Sequence, residues 1–317
     1  MATVSRVLAN KGKVRPETRE QVLEAVEALG YRPNRVASSL RKQKSNVIGL
    51  LVSDIRNPFF TAIARAIEDM AHQHEMSVFF CNTDEDPEKE ERYLRTLLDE
   101  KVAGIILSPT TSEYDHFRSV LEMGTPIVVI DRRIEGAEAD CVVCDNAVSA
   151  ETLTNHLIEQ GYQRIGAVIG LKVSTTGRER MAGYKASMRR HGLESLESFV
   201  EPNESASEAV VKQWLNAPHP PDAILAGNSR MVIGALNAIK NAGLSIPDDI
   251  ALAAFDETIW TPHVASGITV ISQPTYDIGR TAAELLMQRI ADSQRPPRDV
   301  ILKGKLIERS STQRRGG

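Results

Sequence analysis

Residues 47–107 read VIGLLVSDIRNPFFTAIARAIEDMAHQHEMSVFFCNTDEDPEKEERYLRTLLDEKVAGIIL. Three short apolar runs, Val47–Val52, Ser77–Cys81 and Gly104–Leu107, alternate with two longer amphipathic stretches, near 60–74 and 88–101. Runs of four to six apolar residues bounded by polar ones predict buried strands, and the longer periodic stretches predict helices. The alternation continues outward. Strands are expected at Ile127–Ile130, Ile165–Ile169, Ala223–Ala226, Ile250–Phe255 and Thr269–Ile271, and helices near 113–123, 147–160, 178–191, 206–216, 229–242 and 275–291. Repeated strand–helix units of this length predict an α/β body of parallel sheets with helices on both faces.

Two interruptions favour two sheets over one. Near Cys141–Asp145 a strand follows the one ending at Asp131 with no helix between them, which suits a crossing between sheets. Near Thr258–Gly267 a polar stretch holding Trp260 and Pro262 again separates strands without a helix. Crossings there predict two lobes joined at a hinge, with a ligand in the cleft outside the carboxyl ends of the strands.

The chain has 317 residues, 42% hydrophobic and 25% charged, which fits two or more folded domains and excludes collagen-like, coiled-coil and disordered classes. No apolar run approaches the roughly 18 residues of a membrane span, and the N-terminus has no signal-peptide core, so a cytoplasmic protein with no membrane partner is expected. Three cysteines make no disulfide framework. The net charge of -4 is unevenly spread: residues 1–45 hold ten basic side chains against four acidic ones, leaving about -10 on the rest. A basic head on an acidic body fits a chain whose N-terminus meets a polyanion, although charge alone is equally met by a solvated helix pair. The head offers helices at Thr3–Asn10 and Pro16–Leu29, with Pro16 in the first turn and Gly30 as a stop, then the breaker Arg32-Pro33-Asn34 and a short helix-capable run, Arg35–Leu40. We therefore divide the chain into a head, 1–45, and a body, 46–317.

Few motifs carry chemistry. Cys141 and Cys144 have redox or zinc spacing but lie in a strand, where i and i+3 face opposite ways, so burial is expected. His72 and His74 do not share a helix face and are expected to be solvated. Phosphate loops and the nucleophile elbow are absent, and no metal or cofactor is expected. More informative are Asp54, Ser108, Asp131, Asn228 and Asp256, each at or just past the end of a strand. Singly each is a cap or turn residue; together they predict a polar cleft suited to a polyhydroxylated small molecule.

Several motifs together resemble the lactose/galactose repressor (LacI/GalR) family: residues 2–8 (ATVSRVL), 14–22 (VRPETREQV) and 29–37 (LGYRPNRVA), then in the body residues 54–60 (DIRNPFF), 130–132 (IDR), Gly183-Tyr184, Gly227-Asn228, 254–256 (AFD) and Gln273-Pro274. The resemblance spans nearly the whole chain and implies a periplasmic-binding-protein-like body behind a helix-turn-helix head. It makes 3–8 the recognition helix, with Thr3, Ser5 and Arg6 facing bases. Arg19, Asn34 and Arg35 join the DNA-contacting set, and Leu40 is the minor-groove wedge of a hinge helix. It places effector contacts at Asp54, Phe59, Phe60, Ser108, Asp131, Arg180, Asn228, Asp256 and Gln273. Family members also carry a helix and turn ahead of the recognition helix, so the head is read as incomplete. Met1 is then an internal methionine of a longer protein, or the chain is a regulator that has lost normal DNA binding; we prefer the first. Two departures stand out: the family's Asn-Asp pair is Asn228-Ser229, and Glu204 stands where sugar-binding members often have an aromatic ring.

The resemblance implies a homodimeric repressor of carbohydrate metabolism whose partners are double-stranded operator DNA and a sugar or sugar-acid effector. A sugar-binding protein without DNA-binding activity is the alternative, opposed by Arg35–Leu40. An enzyme is not expected: Asp131 and Asp256 could in principle form an acid–base pair, but no activated nucleophile accompanies them.

Overall fold

A computed structural model describes residues 2–8, 14–29, 45–265 and 267–314. The chain forms two compact units, 1–46 and 47–317.

In the first unit, α1 (Ala2–Leu8) contacts α2 (Pro16–Ala28). Pro16 starts α2 where its missing N–H costs nothing, and the N–H of Leu29 closes the last turn on the Ala25 carbonyl. Val7 is buried, while Val4 is 36% exposed and Leu23 46%. Gly30 and the run Arg35–Leu40 lie outside the described residues.

The second unit contains two six-stranded sheets. The first has the order β11-β5-β4-β3-β1-β2 and the second β12-β10-β9-β8-β6-β7. Lobe 1 is built from β1 (Val47–Val52), α3 (Pro58–Gln73), β2 (Ser77–Asn82), α4 (Pro87–Asp99), β3 (Gly104–Leu107), α5 (Tyr114–Glu122), β4 (Ile127–Ile130) and β5 (Asp140–Cys144). Lobe 2 takes α6 (Asn146–Glu159), β6 (Ile165–Ile169), α7 (Thr175–Arg190), β7 (Leu196–Phe199), α8 (Glu204–Leu215), β8 (Ala223–Ala226), α9 (Ser229–Asn241), β9 (Ala251–Phe255) and β10 (Thr269–Ser272). The chain then returns to lobe 1 for α10 (Thr275–Ala291) and β11 (Asp299–Leu302), and crosses back for β12 (Lys305–Ile307). All pairings are parallel except β10 with β12.

Apolar faces set the packing. Phe60, Ile63, Ile67 and Ala71 recur on one side of α3 and pack with Ile48, Leu50 and Val52 of β1 and with Ile278, Ala282 and Leu286 of α10. A Cβ at Gly279 would stand 2.5 Å from the Ile63 carbonyl oxygen, so only glycine lets α10 pass this close to α3. In lobe 2 the Tyr184 hydroxyl donates to the Ile165 carbonyl at 2.6 Å and accepts from the Leu196 N–H at 2.9 Å, fastening β7 beside β6.

The first expected crossing falls at Asp145, directly after β5. The second does not lie at Thr258–Gly267: β9 and β10 are parallel neighbours in one sheet, and the crossing follows β10, at Gln273-Pro274. A third, at Lys303-Gly304, was not anticipated. Cys141 and Cys144 are buried in β5, and His72 and His74 are exposed.

Candidate ligand-binding cleft

The carboxyl ends of both sheets face one cleft, with empty space of about 570 Å³, part of it open to solvent. It is lined from lobe 1 by Asp54, Asn57, Phe59, Phe60, Glu85, Asp131 and Arg132. From lobe 2 come Ser174, Thr176, Arg180, Asn228 and Asp256, with Gln273 at the crossing.

Asp131 follows β4 and Asp256 follows β9. Both are buried, and both hold φ in the left-handed region, at +65° and +78°. Such a conformation costs free energy in a non-glycine residue and persists where the surroundings enforce it, commonly at functional sites. Burial raises the Asp131 carboxyl to about 6, against the pull of Arg132 and Arg180. Burial raises Asp256 too, opposed by Arg180 and by hydrogen bonds from Gln273 and the Ser229 N–H. Gln273 Nε2 donates to one Asp256 oxygen at 2.6 Å and the Ser229 N–H to the other at 3.2 Å.

Arg180 projects from the second turn of α7. Its Nε donates to Asn146 Oδ1 at 2.9 Å and its Nη1 to the Gly227 carbonyl at 2.6 Å, with the guanidinium 4.0 Å above the Phe255 ring. Two acceptors and one ring face fix its plane. Nη2 has no acceptor among the described residues. The start of α7 is placed by Ser174, whose hydroxyl accepts from the Gly177 N–H at 3.1 Å. A Cβ at Gly177 would meet the Leu171 carbonyl at 2.3 Å, so this loop folds tightly onto the helix.

Asn228 does two things: its Oδ1 caps α9 by accepting from the Met231 N–H at 2.8 Å, and it lines the cleft. Phe59 and Phe60 open α3 behind the cap Asn57 and meet edge to face at 5.1 Å, forming an aromatic wall. Arg132 is held by Glu85 through two hydrogen bonds of 2.6 Å and by the Pro109 carbonyl at 3.1 Å. Burial works against its charge, and Glu85 more than offsets this, so its pKa is raised.

Hydrogen bonds and ion pairs run from lobe to lobe. Arg230 of α9 pairs with Asp54, Ser229 Oγ lies 3.1 Å from Asn57 Oδ1, the Arg133 N–H donates to Thr175 Oγ1 at 2.9 Å, and Arg178 pairs with Glu135. These contacts tie the two lobes together across the cleft.

Eight of the nine sequence-derived effector residues meet in this cleft. Ser108 does not: it is fully buried at the end of β3, where its hydroxyl lies 3.0 Å from that of Ser53 and is satisfied inside lobe 1. Sequence reasoning missed Asn57, Glu85, Arg132, Ser174 and Thr176 as cleft residues. Asn57 and Ser174 carried a legible signal as helix caps. Glu204 does not line the cleft, because it is turned to Arg230, donor of a 2.8 Å hydrogen bond. In the head, Thr3 and Arg6 are exposed and three apart on α1, so they share a face, and Arg19 is exposed on α2. The Ser5 side chain, Asn34, Arg35 and Leu40 lie outside what the structure describes. Among the described residues no cluster of His, Cys, Asp and Glu could hold a metal ion, and no helix is long and apolar enough to cross a membrane.

Two parallel α/β lobes, three crossings and a polar cleft between strand ends define a ligand receptor of the periplasmic-binding type. Residues 45–310 match the family of periplasmic binding proteins and sugar binding domain of the LacI family, and residues 1–34 match the bacterial regulatory proteins of the lacI family. The chain is 34% identical over 316 residues to the ribose operon repressor of Halalkalibacterium halodurans, covering 99% of this chain and 93% of that protein. It superposes on the lac repressor dimer bound to operator and the anti-inducer ONPF with a TM-score of 0.88 at 25% identity, covering 98% and 94% of the two chains. The complex of the transcriptional regulator CelR with cellobiose gives a TM-score of 0.77 at 28% identity, over 98% and 95%. The chain belongs to the LacI family of bacterial transcriptional regulators.

Proposed function

We propose that this chain is a cytoplasmic, homodimeric repressor of carbohydrate-metabolism genes, switched by a sugar or sugar acid bound between its lobes. The observation that carries the reading is the cleft itself. Asp131 from one lobe and Arg180, Asn228 and Asp256 from the other converge on one space, beside the rings of Phe59 and Phe60. Carboxylates accept from hydroxyl groups, the arginine donates, and a ring covers an apolar sugar face. Asp54 and Gln273 complete the set by holding Arg230 and Asp256 in place. Residues 1–45 serve as the DNA-binding head: Thr3, Ser5 and Arg6 toward bases, Arg19, Asn34 and Arg35 toward the backbone, and Leu40 as the wedge. Residues 46–317 bind effector and the second copy. Two heads related by a two-fold axis match a symmetric operator. No catalysis is assigned to the cleft.

The ligand acts by population shift. A molecule touching both lobes binds their closed arrangement more tightly than any other, and that differential affinity is the most it can contribute to operator release. Coupling of about 1–3 kcal/mol corresponds to operator affinity changing roughly 5- to 150-fold. Titration calorimetry against a panel of monosaccharides and sugar acids, followed by gel shifts with and without the molecule that binds, tests this. Binding by none of them removes the carbohydrate reading, and binding that leaves operator affinity unchanged removes the switch.

A further inference from the structure

Two of the three crossings put a side-chain amide on a charged residue of the cleft. Gln273, at the second, donates to Asp256. Asn146, directly after the first, accepts from Arg180. Asn146 is buried as the first residue of α6 and does not itself line the cleft. Its Oδ1 accepts from Arg180 Nε at 2.9 Å, while its Nδ2 donates to Glu179 Oε2 at 3.0 Å and to the carbonyl of Cys144, the last residue of β5, at 3.2 Å. A guanidinium demands an acceptor and a carboxylate demands a donor, and an amide supplies both from one neutral side chain. The amide therefore spans the crossing, since Cys144 belongs to lobe 1 and Glu179 and Arg180 to lobe 2. The backbone beside it is anchored: the Asp145 N–H donates to the Leu302 carbonyl at 3.1 Å, and Asp145 Oδ1 accepts from the Gly304 N–H at 2.9 Å, tying the first crossing to the third.

We infer that Asn146 is a positioning residue that ties the guanidinium of Arg180 to the backbone of the first crossing, so that the aim of the arginine and the setting of the hinge change together. This deepens the switch proposed above and rests on Arg180 as a donor to the ligand. Lobes rotate through backbone changes at the few residues that join them. A change at 144–146 carries the amide with it and draws on Arg180 Nε, while the Gly227 carbonyl and the Phe255 ring hold the guanidinium from elsewhere in lobe 2. Coupling is reciprocal, so a molecule that takes the remaining donor of Arg180 biases the crossing in return.

The test needs no ligand, so its failure is distinct from failure of the carbohydrate reading. In spectra of the full chain, the Arg180 Nε–H resonance is identified by its absence from Arg180→Lys. Asn146→Leu should speed hydrogen exchange at this group roughly tenfold, the scale of a lost hydrogen bond to a charged group. An unchanged rate in the folded variant overturns the inference. Asn146→Asp combined with Glu179→Gln returns an acceptor to Arg180 and a donor to position 146, but loses the donor to Cys144. Slow exchange at Arg180 should return, whereas the backbone amides of 144–147, followed by mass spectrometry, should exchange severalfold faster than in wild type. A merely structural role does not separate these two readouts. Fast exchange at Arg180 in the double variant, or wild-type exchange at 144–147, overturns the inference, and this variant decides alone if Asn146→Leu does not fold. Arg180→Met provides the reverse measurement: it should loosen 144–147 and leave the amides of β7 unchanged, and a crossing indifferent to loss of the arginine overturns the link.

Discussion

Arg230 of lobe 2 grips Asp54 of lobe 1 beside the mouth of the cleft, while its other side is bound to Glu204 of its own lobe. The hydrogen bond to Arg230 keeps the Glu204 carboxyl below its ordinary value, and that to Glu204 is the first cause of the raised Arg230 value. Glu204, a departure from the aromatic ring that sugar-binding members of the family often carry there, anchors a cross-lobe clasp. Arg230→Met keeps much of the side-chain bulk and removes the charge. We expect a loss of about 2 kcal/mol of stability, the scale of a hydrogen bond to a charged group. Small-angle scattering should show a wider lobe separation in the free protein. Unchanged scattering and unchanged urea unfolding would sink the clasp.

Asp131→Asn should stabilise the free protein. Its carboxyl titrates at about 6 in the folded chain and near 3.8 when unexposed to these neighbours, so between those values the folded state holds the proton more tightly. Stability from this group therefore rises as pH falls from about 7 to about 4, and near pH 7 the ionised form costs at most about 3 kcal/mol relative to pH 4. Glu85, Asp256, Arg132 and Arg180 face the same carboxyl and stay in both proteins, so the difference between wild type and variant isolates Asp131. Chemical unfolding across pH 4–7.5 is expected to give curves that converge at low pH; parallel curves would count against the assignment. Effector affinity should fall in the same variant, a trade of stability for function.

Arg180→Lys retains positive charge near Asp131 and Asp256 but loses the planar fork that meets Asn146, Gly227 and a ligand at once. With a sugar that binds wild type, affinity should drop roughly 10- to 100-fold, the scale of about 1.5–3 kcal/mol for a charge-assisted hydrogen bond. A change below threefold in calorimetry would place the ligand elsewhere.

The strands of both lobes were legible because strands buried on both faces are continuous apolar runs: VIGLLV and AILA can be little else in this context. β7, β11 and β12 were not, because they lie at or near sheet edges, three or four residues long with partly exposed side chains, and leave too weak a pattern. The misplaced crossing has a related cause. A loop without a helix linked β9 to β10, and sequence does not say whether such a link stays in one sheet. In the cleft, Asp131 and Asp256 were visible as polar residues ending apolar runs. Ser108 gave the same signal yet turns inward to Ser53, since a small hydroxyl can be satisfied within a core. The pairing of Glu85 with Arg132 joins residues 47 apart and leaves no local trace.

Gly279→Ala should destabilise lobe 1. The new methyl group would stand 2.5 Å from the Ile63 carbonyl and 2.8 Å from Ala66 Cβ, so α10 must move off α3. Overpacking of this kind costs about 1–3 kcal/mol, well beyond what alanine's better helix propensity returns. Urea unfolding measures it, and a neutral or stabilised variant would show that the two helices separate freely.

The head offers a test that separates base reading from phosphate contact. Arg6 is exposed on α1 on the face it shares with Thr3, whereas Arg35 belongs to the basic run after the Arg32-Pro33-Asn34 breaker. A base contact carries sequence information; a phosphate contact releases counterions and strengthens all sequences alike. Arg6→Ala should therefore relax preference at one operator position by about 1–3 kcal/mol and leave binding to unrelated DNA nearly unchanged. Arg35→Ala should weaken operator and unrelated DNA by similar factors and reduce the salt dependence of binding by about one unit of slope. Gel shifts with an operator, single-base variants and unrelated DNA at several salt concentrations measure both. If the two variants exchange these signatures, the assignment of reading to α1 and of backbone contact to the basic run is reversed.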